Sequence, residues 1–321
     1  MQRLARNLAL FIAIGVFCYA ALFFWGQGAK VWDALLAFPV IYLPLLLILA
    51  ALNYIVRFVR WQMYLEVLSV RIGFWKSFQI FMAGLTMTIS PGKIGEALKA
   101  QFLSREISHP WSKGLPVVFA ERLSDLMGVV VLVGLGVNVL PVGRTAALLG
   151  TAICIFFVIV IVTPGLFQSV VNLLGKLPKM SKPSERLLEM HENVSRLLTP
   201  RLMAASLVLS CAAWFMECLV LYFTVAACKG ELGGLQTTFI YALSTLAGAL
   251  SIIPGGLLVT EGSMIGLLML SGLEKSLAIS STLIVRLCTL WFAVLLGIVF
   301  LVIFQRASQK TVTLTHEVKS G

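Results

Sequence analysis

Charged residues make up only 12% of the 321-residue chain, while 59% are apolar. A soluble globular domain carries roughly twice that charged fraction. This shortage, together with a mean hydropathy of +0.97, excludes a soluble enzyme, a disordered protein and a disulfide-stapled secreted scaffold. Regular alternation of apolar and polar residues is also missing, which excludes an outer-membrane barrel. Histidine is rare. His109, His191 and His316 all fall in polar links, with no metal-ligand spacing, so no metal is expected. The six cysteines, Cys18, Cys154, Cys211, Cys218, Cys228 and Cys288, contain no C-x-x-C pair and sit in or beside apolar segments, as buried free thiols do. No G-x-S-x-G, H-E-x-x-H or phosphate-binding P-loop occurs. No enzyme activity and no cofactor are expected.

Long apolar runs fill the space these absences leave. Clear spans cover residues 8–25, 35–56, 115–140, 146–162, 202–227 and 277–304, each near or above the ~20 residues that cross a bilayer core. The net charge of +11 gathers in the links between them. The positive-inside rule accounts for it without nucleic acid. The basic start, with Arg3 and Arg6 ahead of residues 8–25, reads as a retained signal anchor: the run exceeds a usual signal-peptide core and no A-x-A site follows it.

Two apolar regions are broken. Residues 78–103 are interrupted by Ser90, Pro91, Gly92, Lys93, Ile94, Gly95 and Glu96; residues 237–271 are interrupted by Pro254, Gly255, Gly256, Glu261 and Gly262. The first arm, residues 78–89, is about 18 Å long at ~1.5 Å per residue, too short to cross. A short arm, a broken apex and a second arm predict a re-entrant hairpin. Charge counting agrees. The link at residues 57–76, with Arg57, Arg60, Arg71 and Lys76 against Glu66, and the link at 104–114, with Arg105 and Lys113 against Glu106, both want the cytoplasmic side. The segment between them must therefore dip in and return. The same reasoning makes 237–271 a hairpin entering from outside and puts both chain ends in the cytoplasm. Two full crossings per hairpin remain the alternative.

The expected fold is an all-α polytopic membrane protein with about six spanning helices plus two re-entrant hairpins in an inverted repeat. It forms one integral membrane domain over residues 1–321. The halves cover about 8–140 and 146–304, with a cytoplasmic link at 165–201 and a polar tail at 305–321. Each half reads span, span, hairpin, span, an odd number of crossings, so the second is inverted. Arg122 lies 31 residues after Pro91 and Arg286 lies 32 after Pro254. Inverted repeats with broken helices are a secondary-transporter pattern. Within the link, Leu187, Met190, Val194 and Leu197 share one face of an amphipathic helix, which either lies on the membrane surface or packs on the loops.

Charges at membrane depth mark candidate function. They are Lys93, Glu96, Lys99, Glu121, Arg122, Asp125, Glu217, Glu261 and Arg286. Arg122 precedes Asp125 by three residues and can pair with it. Arg286, Thr289, Ala293 and Gly297 form a polar-to-small stripe suited to close packing or a cavity wall. Lys93 and Lys99, near the first apex, suit an anionic group such as a lipid phosphate.

The block from Ser90 to Lys99, then Glu121, Arg122, Leu123, Ser124 and Asp125, then Pro254, Gly255 and Gly256 with Glu261 and Gly262, then Arg286 before Trp291, resembles the lysylphosphatidylglycerol synthase transmembrane family. This is the flippase-like membrane domain of bacterial lysyl-phosphatidylglycerol synthase/flippases. The resemblance implies lipid translocation, with Lys93, Glu96, Arg122, Asp125, Glu261 and Arg286 on motif positions. No soluble aminoacyltransferase domain follows, so synthesis of the aminoacylated lipid is not implied. The expected function is therefore movement of a polar-headgroup lipid (phospholipid, glycolipid or polyprenyl-linked) through a charged midplane cavity of a bacterial inner membrane. The expected partners are the lipid and a lipid-synthesis enzyme; no nucleic acid is expected, and the oligomeric state is open. The rival readings are a membrane-embedded lipid transferase or hydrolase using Glu121 and Asp125, and a non-catalytic partner of a lipid-modifying enzyme.

Overall fold

The computed structural model describes residues 2–90, 98–107, 111–138, 185–251 and 253–320, with scattered residues between 145 and 166. Its regular elements are all helical. In chain order they are α1 (Gln2–Trp25), α2 (Gly28–Leu36), α3 (Leu43–Val67), α4 (Phe74–Gly84), α5 (Leu98–Ile107), α6 (Trp111–Leu135), α7 (Glu185–Leu197), α8 (Pro200–Ala227), α9 (Gly234–Leu250), α10 (Val259–Leu270), α11 (Lys275–Arg286) and α12 (Phe292–Ser320). A π-helical turn, Leu287–Trp291, joins the last two. Four stretches, Leu8–Trp25, Val40–Val67, Pro200–Ala227 and Lys275–Arg306, are long and apolar enough to cross a membrane. The chain is an all-α polytopic membrane protein. Of the expected span at 146–162, residues 148–153, 155, 156 and 159 are described, and they are helical.

The bundle is organised by two apolar cores. One gathers Leu46 and Leu49 of α3, Val129, Val130, Leu132 and Val133 of α6, and residues of α8 to α11. The other gathers Phe58, Trp61 and Leu65 of α3, Phe81 of α4, Leu103 of α5, Val117 and Ala120 of α6, and Phe304 of α12. Both α3 and α6 pass from one core into the other, and the charges of α6 (Glu121, Arg122 and Asp125) lie between the two sets of α6 residues. Helix α8 packs along α3 and α6, α9 also packs on α6, and α12 runs beside α4. Many apolar side chains on α1 and α3, such as Phe17, Phe24, Ile48 and Ile55, face outward, as lipid-facing residues must.

The two interrupted regions differ from full-length helices as the sequence predicts. Arms α4 and α5 have 11 and 10 residues, and α4 tightens into a 3-10 turn, Leu85–Met87. Arms α9 and α10 have 17 and 12 residues, joined by a 3-10 turn, Pro254–Gly256. Gly255 and Gly256 have φ of 62° and 64°, a region L-residues enter at a cost. A side chain on Gly255 would also press on the backbone of Ile89, its Cβ 3.3 Å from the Ile89 Cα. The end of the first region's leading arm thus meets the second region's turn. The first apex itself, with Pro91, Gly92, Lys93, Gly95 and Glu96, lies outside the described residues.

One expectation is corrected. Arg57 and Arg60 do not belong to a solvated link: α3 continues through them to Val67, and they are 4% and 0% exposed. Ala50, Tyr54, Phe58, Trp61 and Leu65 keep a buried helical stripe going past both arginines, so the helix has reason to continue. Arg71 and Lys76 alone still leave that link net positive against Glu66. Helix α7 lies against α6, where Val194 and Leu198 pack with Phe119 and Leu123.

Candidate functional site

Helices α3, α6, α8 and α9, the Pro254–Gly256 turn and the α11–α12 junction enclose a cavity of about 430 Å³. Arg57, Arg122, Asp125, Glu217 and Arg286 line it, with Tyr54, Thr88, Tyr241 and Thr289 as neutral polar groups. Leu126, Val129, Leu246, Leu250 and Ile253 give it apolar walls. Three guanidiniums and two carboxylates therefore share one chamber between the two broken regions.

Asp125 organises the α3–α6 side. Its Oδ1 lies 2.8 Å from Arg60 Nη2; its Oδ2 lies 2.8 Å from Arg122 Nη2 and 3.5 Å from Arg57 Nη2. Arg60 also donates to the Ser210 hydroxyl of α8. The Arg122 side chain is 23% exposed, against 5% for Arg57 and 0% for Arg60. Arg122 is thus the member of this cluster most open to an incoming group, while Arg60 works as a buried anchor.

The opposite wall is built around Arg286. Its Nε donates to Glu261 Oε1 at 2.6 Å and its Nη2 to the Gly255 carbonyl at 2.9 Å. Tyr19 of α1 donates to the same Glu261 oxygen at 3.2 Å. Glu261 is fully buried behind Arg286 and does not line the cavity. Tyr241 donates to Glu217 Oε2, which holds that carboxylate at the cavity wall. The π-helical turn follows Arg286 directly, and the Thr289 carbonyl within it accepts the Tyr54 hydroxyl at 2.7 Å. Such turns occur often at functional sites. The stripe anticipated in the sequence splits in two: Arg286, Thr289 and Ala293 line the cavity, and Gly297 packs against the backbone of Leu85 and Thr86.

Lys99 and Glu121 do not line the cavity. Lys99 Nζ lies 2.7 Å from Glu121 Oε2, with side chains 1% and 0% exposed. The ammonium sits 5.2 Å from the Trp61 ring and 4.9 Å from the Phe81 ring, within cation–π range. Gly84 leaves room for the lysine stem, since a Cβ there would lie 2.7 Å from Lys99 Cδ. The pair fastens α5 to α6 and holds the Lys99 ammonium away from the cavity. Glu121 and Asp125 are also engaged by different cations, so they do not converge on one point as a metal-binding carboxylate pair would. Lys93 and Glu96 lie outside the described residues.

Among the cavity residues missed in the sequence are Arg57, Tyr54, Trp214, Tyr241 and Thr88. Arg57 was legible as a cation on a helical stripe that does not stop. The tyrosines and Thr88 carry no local signal, because neighbours distant in sequence make them cavity residues.

The fold and chamber define a multi-pass helical membrane protein with a charged internal cavity. Residues 9–297 match the lysylphosphatidylglycerol synthase TM region, and the chain belongs to that family. It is similar to a UPF0104 membrane protein of Pyrococcus horikoshii, 26% identical over 316 residues, covering 90% of this chain and 94% of that protein. A UPF0104 membrane protein of Methanothermobacter thermautotrophicus is 28% identical over 311 residues, covering 90% and 91%. Another, of Methanocaldococcus jannaschii, is 25% identical over 224 residues, covering 68% and 94%. These three relatives are archaeal, so the expectation of a bacterial inner membrane broadens to that of a multi-pass membrane protein.

Proposed function

We propose that this protein moves a polar-headgroup lipid between bilayer leaflets, the headgroup passing through the charged cavity while the acyl chains stay in the surrounding lipid. The observation that carries this reading is the chamber of about 430 Å³, in which guanidiniums and carboxylates share apolar walls. Charge at membrane depth is costly and is kept where it handles a polar cargo. Arginine presents a planar fork matched to phosphate oxygens, and Arg122, Arg57 and Arg286 offer three. Asp125 and Glu217 orient these cations or meet a cationic part of the headgroup.

The broken segments supply the moving parts in this reading. Each is a re-entrant hairpin returning to its own side of the membrane, and the two are related as inverted repeats with both chain ends cytoplasmic. Arms α5 and α10, with 10 and 12 residues, span about 15 and 18 Å at ~1.5 Å per residue, well short of a ~30 Å hydrocarbon core. The contact of Gly255 with Ile89 supports apices that meet within the bundle, where irregular backbone is tolerated beside a cavity. A rocking exchange of such repeats opens a central site to each side in turn.

The test is reconstitution of the purified protein into liposomes containing a fluorescent phospholipid, with dithionite quenching of the outer leaflet. Wild type should expose inner-leaflet lipid faster than empty liposomes, and Arg122→Ala should lose most of that rate while keeping its thermal stability in detergent within a few degrees. Mass spectrometry should find a co-purified lipid in wild type that is depleted from the variant. A folded Arg122→Ala protein with undiminished activity and lipid content would overturn the proposal.

A further inference from the structure

A second binding feature lies outside the cavity, on the other face of α3. An apolar groove of about 850 Å³ runs between the second half of α3 and the start of α4, with Ile55, Phe58, Val59 and Phe74 among its walls. A separate pocket of about 420 Å³ is lined by Ser69, Arg71, Ile72, Gly73, Lys76, Glu106 and Ile107. The two share Arg71, Ile72 and Gly73, so an apolar trough leads directly to a polar recess with two cations at its edge. Neither shares a residue with the central cavity.

We infer that these joined recesses hold a resident bilayer phospholipid with an anionic headgroup, its phosphate at Arg71 and one acyl chain along Ile55, Val59 and Phe74. Three observations choose this occupant. The shape is amphipathic in the order a lipid requires, tail trough and then head recess. The cation that would meet the phosphate is Arg71, which is exposed and makes no ion pair among the described residues; Lys76 is paired with Glu106 across the recess. The level is that of a membrane interface, because α3 ends at Val67 and Trp75 beside the recess is 71% exposed, as belt aromatics are. Glu66 lines the trough, so the headgroup approaches from the Arg71 side. On α3, Tyr54 and Arg57 face the cavity while Ile55, Phe58 and Val59 face the trough. A lipid seated here buttresses the helix that carries Arg57.

The test uses the full chain in detergent, with phosphatidylglycerol or phosphatidylcholine added back and binding read by native mass spectrometry. Wild type should retain phosphatidylglycerol more strongly than phosphatidylcholine. Arg71→Gln should lower phosphatidylglycerol retention by about tenfold, the loss of one charge-assisted hydrogen bond. Val59→Trp, which fills the trough, should lower retention of both lipids. Arg201→Gln removes an exposed cation elsewhere on the surface and should change nothing. The inference is overturned if Arg71→Gln keeps the wild-type headgroup preference, if Arg201→Gln lowers it equally, or if glycerol phosphate alone competes as well as the lipid. Because the central cavity is also proposed to take a phosphate-bearing headgroup, the comparisons are repeated in an Arg122→Ala background, where the preference should persist and Arg71→Gln should still abolish it.

Discussion

Arg286 and Glu261 are joined by a 2.6 Å hydrogen-bonded ion pair, and the same guanidinium reaches the Gly255 carbonyl. One side chain at the α11–α12 junction therefore fixes both the turn and the second arm of the broken segment ahead of it. Tyr19 adds α1 to the assembly through Glu261. A pair removed from water in this way is retained for position more than for net stability.

Removing one member should be far worse than weakening the pair. Arg286→Ala leaves the Glu261 carboxylate buried without this cation and the Gly255 carbonyl without its donor, and should cost about 3–5 kcal/mol. Tyr19→Phe removes one hydrogen bond and should cost about 1 kcal/mol. Thermal unfolding in detergent should rank wild type, Tyr19→Phe and Arg286→Ala in that order. Equal stability of the last two would mean that the pair is not holding the turn.

The Lys99–Glu121 pair makes the complementary case. It is sealed from water and away from the cavity. Lys99→Met alone should destabilise by about 3–5 kcal/mol, because it strands a buried carboxylate, while Lys99→Met with Glu121→Leu should recover most of that loss. Translocation per folded molecule should survive in the double variant. A double variant that is stable yet inactive would return Lys99 to the transport site.

Much of the fold was legible because hydropathy and breaks in it are local properties. Pro254 and Gly255 announce the turn, and Arg122 lies three residues from its partner Asp125. Partner choice between distant segments was not legible. Lys99 looks like a free cation beside an apex until α6 supplies Glu121 and α3 supplies Trp61. Arg57 and Arg60 were assigned to a link because charge counting ignores the apolar stripe through Phe58, Trp61 and Leu65. Tyr241 becomes a site residue only when α9 packs against α8 and meets Glu217. Sequence patterns located most of the helices and their breaks; packing decided which charges are buried and which of them face the cavity.

Close helix contact can be tested through glycine. A methyl at Gly297 would lie 2.8 Å from the Leu85 carbonyl carbon. That atom is backbone, so α12 has to move away from the end of α4. Gly297→Ala should destabilise by about 1–3 kcal/mol. Gly266, inside α10, has open space around it, so Gly266→Ala should be neutral or stabilise by up to about 1 kcal/mol through helix propensity. Both are read by unfolding in detergent, and reversal of the order would contradict the packing of α12 on α4.

Membrane topology decides whether the broken segments can act as paired hairpins. Arg71 and Arg105 flank the first, and Glu231 and Glu274 flank the second; all four are exposed. Single cysteines at these positions, in a background lacking the native cysteines, can be labelled in intact spheroplasts by a membrane-impermeant maleimide. Re-entrant segments require each pair to label from one side: 71 and 105 both protected, 231 and 274 both reactive. The opposite sides follow from an odd number of crossings between the two pairs. A single crossing of the segment would split a pair; two full crossings would keep it together, yet α10, with 12 residues, reaches only about 18 Å and would then leave the polar turn at Pro254–Gly256 facing hydrocarbon, at several kcal/mol for each backbone group without a partner. If 231 and 274 label from opposite sides, the second segment crosses the bilayer, the halves are not inverted, and the rocking mechanism built on them fails even if the cavity still binds lipid.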